Sequence, residues 1–181
     1  EEFKDLEGRV ILSRIWESES SALSTYYVYD DFGLLRYVLP PKASAQNISQ
    51  EVLDGLCYQY KYDERKRMIK KKLPGANPIY QIYDLRDRMV MSQDGNQQAL
   101  GLWSFVKYDQ LNRPIMTGVV AYTRTVDQMI NECLSWYSNP NTSPVWSEDP
   151  TESNEIGYSF NLTFPLNVNL SDIRTVTYYD T

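Results

Sequence analysis

A six-residue unit recurs along this chain and constrains its fold more than any other feature. Tyr83-Asp84-Leu85-Arg86-Asp87-Arg88 is the clearest copy. Tyr29-Asp30-Asp31-Phe32-Gly33-Leu34, Tyr62-Asp63-Glu64-Arg65-Lys66-Arg67 and Tyr108-Asp109-Gln110-Leu111-Asn112-Arg113 repeat it, and Lys4-Asp5-Leu6-Glu7-Gly8-Arg9 is a degenerate version. Tyr179-Asp180-Thr181 begins another. Tyrosine and β-branched residues precede each aspartate, and a second extended run follows. Asp suits the first position of a type I turn, because its carboxylate accepts from backbone N–H groups further on. Three residues later stand Gly8, Gly33, Lys66, Asp87 and Asn112. A type I turn closed by a G1 bulge needs positive φ there, which Gly, Asn and Asp tolerate and Lys66 does not readily adopt. The next residue is Arg9, Arg67, Arg88 or Arg113, with Leu34 as the exception. Arginine there can fold back on the aspartate or cover a neighbouring tyrosine face. Each unit therefore predicts a β-hairpin. The fold class expected is mainly β with a few short helices, built of stacked antiparallel β-hairpins forming an extended twisted sheet. One hairpin alone is marginal, and stacking buries what a single unit cannot.

The pattern Tyr-Asp-x-x-Gly/Asn-Arg resembles the YD-repeat, or Rhs (rearrangement hot spot), family. Residues 26–41, 56–75 and 79–96 are similar to Rhs proteins of Bacteroidetes. The resemblance implies hairpins laid side by side into a spiralling sheet, which in full-length relatives closes as a shell around a C-terminal toxin or effector. It makes Tyr29, Asp30, Gly33, Tyr62, Asp63, Arg67, Tyr83, Asp84, Arg88, Tyr108, Asp109 and Arg113 a structural repeat motif rather than a catalytic set. It also implies a bacterial, secreted or cell-surface scaffold whose partners are the remaining repeats and the C-terminal region of a parent protein. A carbohydrate-binding, adhesin-like module is the alternative, with glycans stacking on tyrosine and tryptophan faces. A paired-carboxylate glycoside hydrolase ranks third, because the conspicuous aspartates are already spent on turns.

Chemistry is excluded more readily than assigned. The chain has no histidine, which removes Ser-His-Asp and Cys-His systems and nearly all catalytic zinc sites. There is no glycine-rich phosphate loop. No catalytic residue, cofactor or metal ligand is expected. A net charge of −6 argues against a nucleic-acid partner. Cys57 and Cys133 lie too far apart for a metal or redox motif and read as separate buried thiols. Fifteen tyrosines against five phenylalanines suit a pleated surface that is wet on one side. Tyrosines of neighbouring units are expected to form a stack of rungs. Lys70, Lys71 and Lys72 are expected to form a solvated, lysine-guarded face.

Residues 1–120 are expected to form the hairpin array. Residues 121–181 are expected to hold a helix, a long loop and further strands. Asp30 and Asp63 are 12 residues further apart than Asp63 and Asp84, room for a helix over 49–57 capped by Ser49. The Ser-rich run 17–24 predicts a loop, Asp94-Gly95-Asn96 a turn, and 97–102 a weak helix. Pro114 predicts an irregular strand start. Apolar residues at Val126, Met129, Ile130, Cys133, Leu134 and Tyr137 follow a 3.6 period behind Thr125 and predict a helix. Residues 138–155 read as loop, and 158–164 and 173–179 as strands. Starting inside one unit and stopping after a Tyr-Asp pair, the chain reads as a piece of a longer protein. Open sheet edges would favour self-association.

Overall fold

A computed structural model describes residues 1–44, 47–141 and 143–179. The fold is mainly β, antiparallel hairpins with four short helices. Contacts divide it into two compact units, Glu1–Ile79 and Tyr80–Thr181. In each unit the strands pair in chain order. Asp180 and Thr181, which complete the last Tyr-Asp copy, lie outside the described residues.

The first unit contains β1 (Glu2–Lys4), β2 (Val10–Ser18), β3 (Ser21–Tyr29), β4 (Leu35–Leu39), α1 (Pro41–Ser44), α2 (Gln50–Leu56), β5 (Tyr58–Tyr62) and β6 (Met68–Lys72). The loop expected over 17–24 is instead the meeting of two long strands. Ser18 faces Ser21 across the ladder, leaving Glu19 and Ser20 as the connection. The cross-strand pairs Ile15–Leu23 and Trp16–Ala22 extend the ladder, so side-chain pairing outweighs serine composition here. Ser49 caps α2, its hydroxyl accepting from the Val52 amide at 3.2 Å. Lys72 is not the free lysine expected of it. It is half-buried, and its Nζ donates to the Asp54 and Ala76 carbonyls at 2.8 and 3.0 Å, fastening the C-terminal end of α2 to the strand. Among the described residues of this unit only Ala43 and Cys57 are buried. The sheet here leaves Ile11, Ile15, Leu23, Trp16 and Tyr26 exposed.

The second unit contains β7 (Ile79–Tyr83), β8 (Met89–Gln93), α3 (Gly95–Leu100), β9 (Leu102–Tyr108), β10 (Pro114–Ala121), α4 (Val126–Ser138), a 3₁₀ turn (Leu170–Asp172) and β11 (Ile173–Val176). Asp94 does not sit in a hairpin turn. It caps α3 through a capping box with Gln97, and Gly101 at φ 63° ends the helix. α4 forms where the periodicity placed it, with Thr125 and Gln128 as its capping box. Met129, Cys133 and Tyr137, one helical face, pack with Ile82, Met91, Trp103, Phe105 and Val120. Burial of each large side chain contributes about 1.5–3 kcal/mol. The strand expected over 158–164 is absent. Tyr158 makes one bridge to Pro150, and the Leu162 and Thr163 amides donate to the Glu148 carboxylate. A side chain has taken the donors that a ladder would need. β11 is shorter than expected and pairs with β10, Met116 opposite Val176.

Gly118 is closely packed. Its φ is ordinary, but a Cβ would lie 2.3 Å from the Asp172 carbonyl oxygen and 2.4 Å from the Phe105 ring. Gly118→Ala is expected to cost about 1–3 kcal/mol of unfolding free energy, measurable by urea denaturation.

Candidate functional site

The aspartate turns share one geometry. In each, the carboxylate Oδ1 accepts from the amides two and four residues on: Glu7 and Arg9 for Asp5, Phe32 and Leu34 for Asp30, Arg65 and Arg67 for Asp63, Arg86 and Arg88 for Asp84, Leu111 and Arg113 for Asp109, all at 2.8–3.0 Å. The residue three past the aspartate has positive φ in every copy: Gly8 82°, Gly33 75°, Lys66 64°, Asp87 64° and Asn112 61°. Lys66 therefore holds the left-handed conformation its type disfavours. All five strand pairs that flank these turns shift register beside them. Pro114 is tolerated at such a shift, the bulge being common to every copy rather than caused by proline.

Arginine does both things its position allows. Nε of Arg9, Arg67, Arg88 and Arg113 donates to Oδ2 of its own aspartate at 2.6–2.8 Å. The guanidinium then lies over the tyrosine of the following copy: Arg9 over Tyr29 at 5.0 Å, Arg88 over Tyr108 at 4.7 Å and Arg113 over Tyr179 at 4.3 Å. Each of those tyrosine hydroxyls donates back to the carbonyl just after that arginine, Val10, Met89 and Pro114, at 3.1, 2.7 and 3.0 Å. Arg88 also donates to Asn112 Oδ1 at 2.9 Å, and Arg9 occupies the matching space beside Gly33. Tyr29, Tyr108 and Tyr179 thus pack under guanidinium groups rather than on one another. The stacked ring pairs among the described residues are Tyr137–Trp146 and Tyr158–Tyr178. Donation from the Leu34 amide holds the Asp30 carboxyl below its usual range.

Tyr179 shows where the sequence rhythm resumes. Residues 122–172 hold α4 and a long covering segment, after which β11 returns beside β10 and Tyr179 takes its place under Arg113. Arg88 and Arg86 grip that segment: Arg88 Nη2 donates to the Trp146 carbonyl at 2.7 Å, and Arg86 lies 4.7 Å over the Trp146 ring.

A second cluster, Lys107 with Glu148, escaped the sequence reading. Trp103, Phe105 and Lys107 share the buried parity of β9, so a lysine in that alternation was the available signal. Both charged side chains have no solvent exposure. Lys107 Nζ donates to the Thr163 and Pro165 carbonyls, both at 2.6 Å, and to Glu148 Oε1 at 3.2 Å. Glu148 also accepts from the Ser159 and Thr163 hydroxyls and the Leu162 and Thr163 amides. Every lone pair is matched, which is what makes buried charge tolerable. Burial raises the Glu148 carboxyl, but the Lys107 charge and the Thr163 donors outweigh it and hold it below its ordinary value. Burial pushes the Lys107 ammonium down to about 8. The pair is ionised at neutral pH. It has no substrate access and acts as a clamp. No cluster that could hold a metal ion occurs among the described residues.

Lys107→Met is expected to cost about 3–5 kcal/mol, because it strands a buried carboxylate. Adding Glu148→Gln should cost less than the sum of the single changes, read from a double-mutant cycle. A carboxyl whose folded pKa is lowered stabilises above its unfolded value and loses that contribution as pH falls through the folded value. Unfolding free energy should therefore drop in acid, and drop less in the double variant, as followed by urea titrations on either side of pH ~4.3.

No family model and no curated protein matches the chain. Solved structures do. Chains of the TcdB2-TccC3-TEV and TcdB2-TccC3-Cdc42 crystal structures match with TM-score 0.52 and 14% identity over 69% of this chain. A mutant Tc holotoxin pore of Photorhabdus luminescens matches with TM-score 0.51, again at 14% identity. The match spans 6% of the length of those chains. The likeness is one of fold.

Proposed function

We propose that this chain is a non-catalytic structural segment of a secreted or cell-surface Rhs/YD-repeat protein. It serves as a β-sheet scaffold or shell wall that encloses or displays a C-terminal effector of its parent. The observation that carries this reading is the use to which the repeated residues are put. Asp5, Asp30, Asp63, Asp84 and Asp109 spend their carboxylates on the turn backbone. The guanidinium groups of Arg9, Arg88 and Arg113 are taken up by an aspartate and by the tyrosine of the next copy. Residues that repeat in order to join neighbours belong to a wall, and a wall gains function from what it surrounds. The fold likeness to Tc holotoxin chains supports the same reading, as does the YD-repeat pattern itself. Among the described residues no helix is long and apolar enough to cross a membrane.

Protease protection in the parent protein tests this. With the array intact, the C-terminal region should resist digestion. With Arg88→Ala and Arg113→Ala together it should become cleavable at a protease dose that leaves the unmutated protein untouched. Equal digestion of both would reject enclosure.

A further inference from the structure

Within the first unit one junction departs from the pattern seen at Arg9–Tyr29, Arg88–Tyr108 and Arg113–Tyr179. Between the second and third turns the arginine position holds Leu34. No guanidinium lies over Tyr62 in the manner of Arg9 on Tyr29 or Arg88 on Tyr108. The Tyr62 hydroxyl is not bonded to the Leu35 carbonyl, the counterpart of the Val10 and Met89 carbonyls that Tyr29 and Tyr108 hold. A cleft of about 330 Å³ opens in their stead, walled by Asp30, Leu34, Arg36, Tyr62, Asp63 and Glu64. Lys66 lies over the Phe32 ring at its rim, 5.4 Å from the centroid.

Arg36 replaces the missing arginine only in part. It sits two residues after Leu34, on the same strand face, and reaches Asp30 Oδ2 at 3.5 Å rather than the 2.6–2.8 Å of the other turns. Its Nε is buried without a hydrogen-bond partner. The cleft therefore lacks a guanidinium stacked on the Tyr62 face. Its walls carry the carboxylates of Asp30, Asp63 and Glu64, of which Asp63 is paired with Arg67 and Asp30 only loosely with Arg36. A peptide arginine supplies the missing group, a planar guanidinium for the Tyr62 ring with the Glu64 carboxylate beside it. Lysine would serve less well, since an ammonium is more strongly hydrated and cannot stack or pair in a fork.

We propose that this cleft is a binding site for an arginine side chain presented by a peptide segment of a partner. The partner fills from outside the position that Arg9, Arg88 and Arg113 fill from within the chain. The site would exist whether or not the sheet encloses an effector.

Titration of the 181-residue chain with N-acetyl-arginine amide, followed by NMR, tests it. Resonances of Leu34, Arg36 and Tyr62 should shift and saturate in the millimolar range, and the neutral isostere N-acetyl-citrulline amide should move them at least fivefold less. Leu34→Arg should fill the cleft from within, abolish the response and raise the thermal midpoint. Tyr62→Leu, which keeps an apolar strand residue, should weaken the response severalfold and serves if Leu34→Arg fails to fold. Equal shifts from both probes, shifts located elsewhere, or an undiminished response in Tyr62→Leu would overturn the assignment.

Discussion

The structure depends on a guanidinium shared between two hairpins. Nε of the turn arginine is tied to its own aspartate, which fixes the side chain in one pose. The flat face is then presented to the next tyrosine, whose hydroxyl returns to the carbonyl beside the arginine. Neither contact is strong alone, and cation–π pairs at such sites contribute about 0.5–2 kcal/mol. The value lies in pre-organisation: the aspartate bears the ordering of a long side chain, so the tyrosine meets a rigid surface. In residues 1–79, where few side chains are buried, one such clasp, Arg9 on Tyr29, joins the first hairpin to the second. Ladder hydrogen bonds alone do not specify register on a two-sided, partly polar sheet.

The second unit solves the same problem by covering one face. α4 lays Met129, Cys133 and Tyr137 over Trp103 and Phe105, and the segment after it continues the cover. That segment has almost no regular structure of its own. Its amides and hydroxyls converge on Glu148, and Glu148 converges on Lys107. A charged pair thus does for an irregular segment what a ladder does for a strand. The two compact units also differ in charge: acids and bases balance in residues 1–79, and the whole excess of −6 lies in residues 80–181.

What was legible in the sequence was local. Asp followed three residues later by Gly, Lys, Asp or Asn specified the turns down to their positive φ, because backbone strain and side-chain acceptors act within six residues. The caps at Ser49 and Thr125 and the apolar face of α4 were legible for the same reason. Readings from composition fared worse. The serine run became strand, since its neighbours Ile15, Trp16 and Leu23 set the pairing. The alternation over 158–164 did not become strand, since the acceptor that claims its amides sits 14 residues upstream. The Lys107 clamp joins positions 41 residues apart and left one trace, a lysine at the buried parity of β9. Tyrosine stacking was read from repetition alone, and the structure takes instead the option the arginine position had offered, a guanidinium over the tyrosine face.

The clasp has a direction. At Arg9–Tyr29, Arg88–Tyr108 and Arg113–Tyr179, the arginine and the accepting carbonyl come first in the chain and the tyrosine later. A ribosome releases residues in that order, at about 5–20 per second. At these three junctions the finished hairpin waits with its receptor assembled when the tyrosine emerges. At these junctions growth proceeds by addition to a formed edge, whereas Lys107 on β9 waits for Glu148, 41 residues further on.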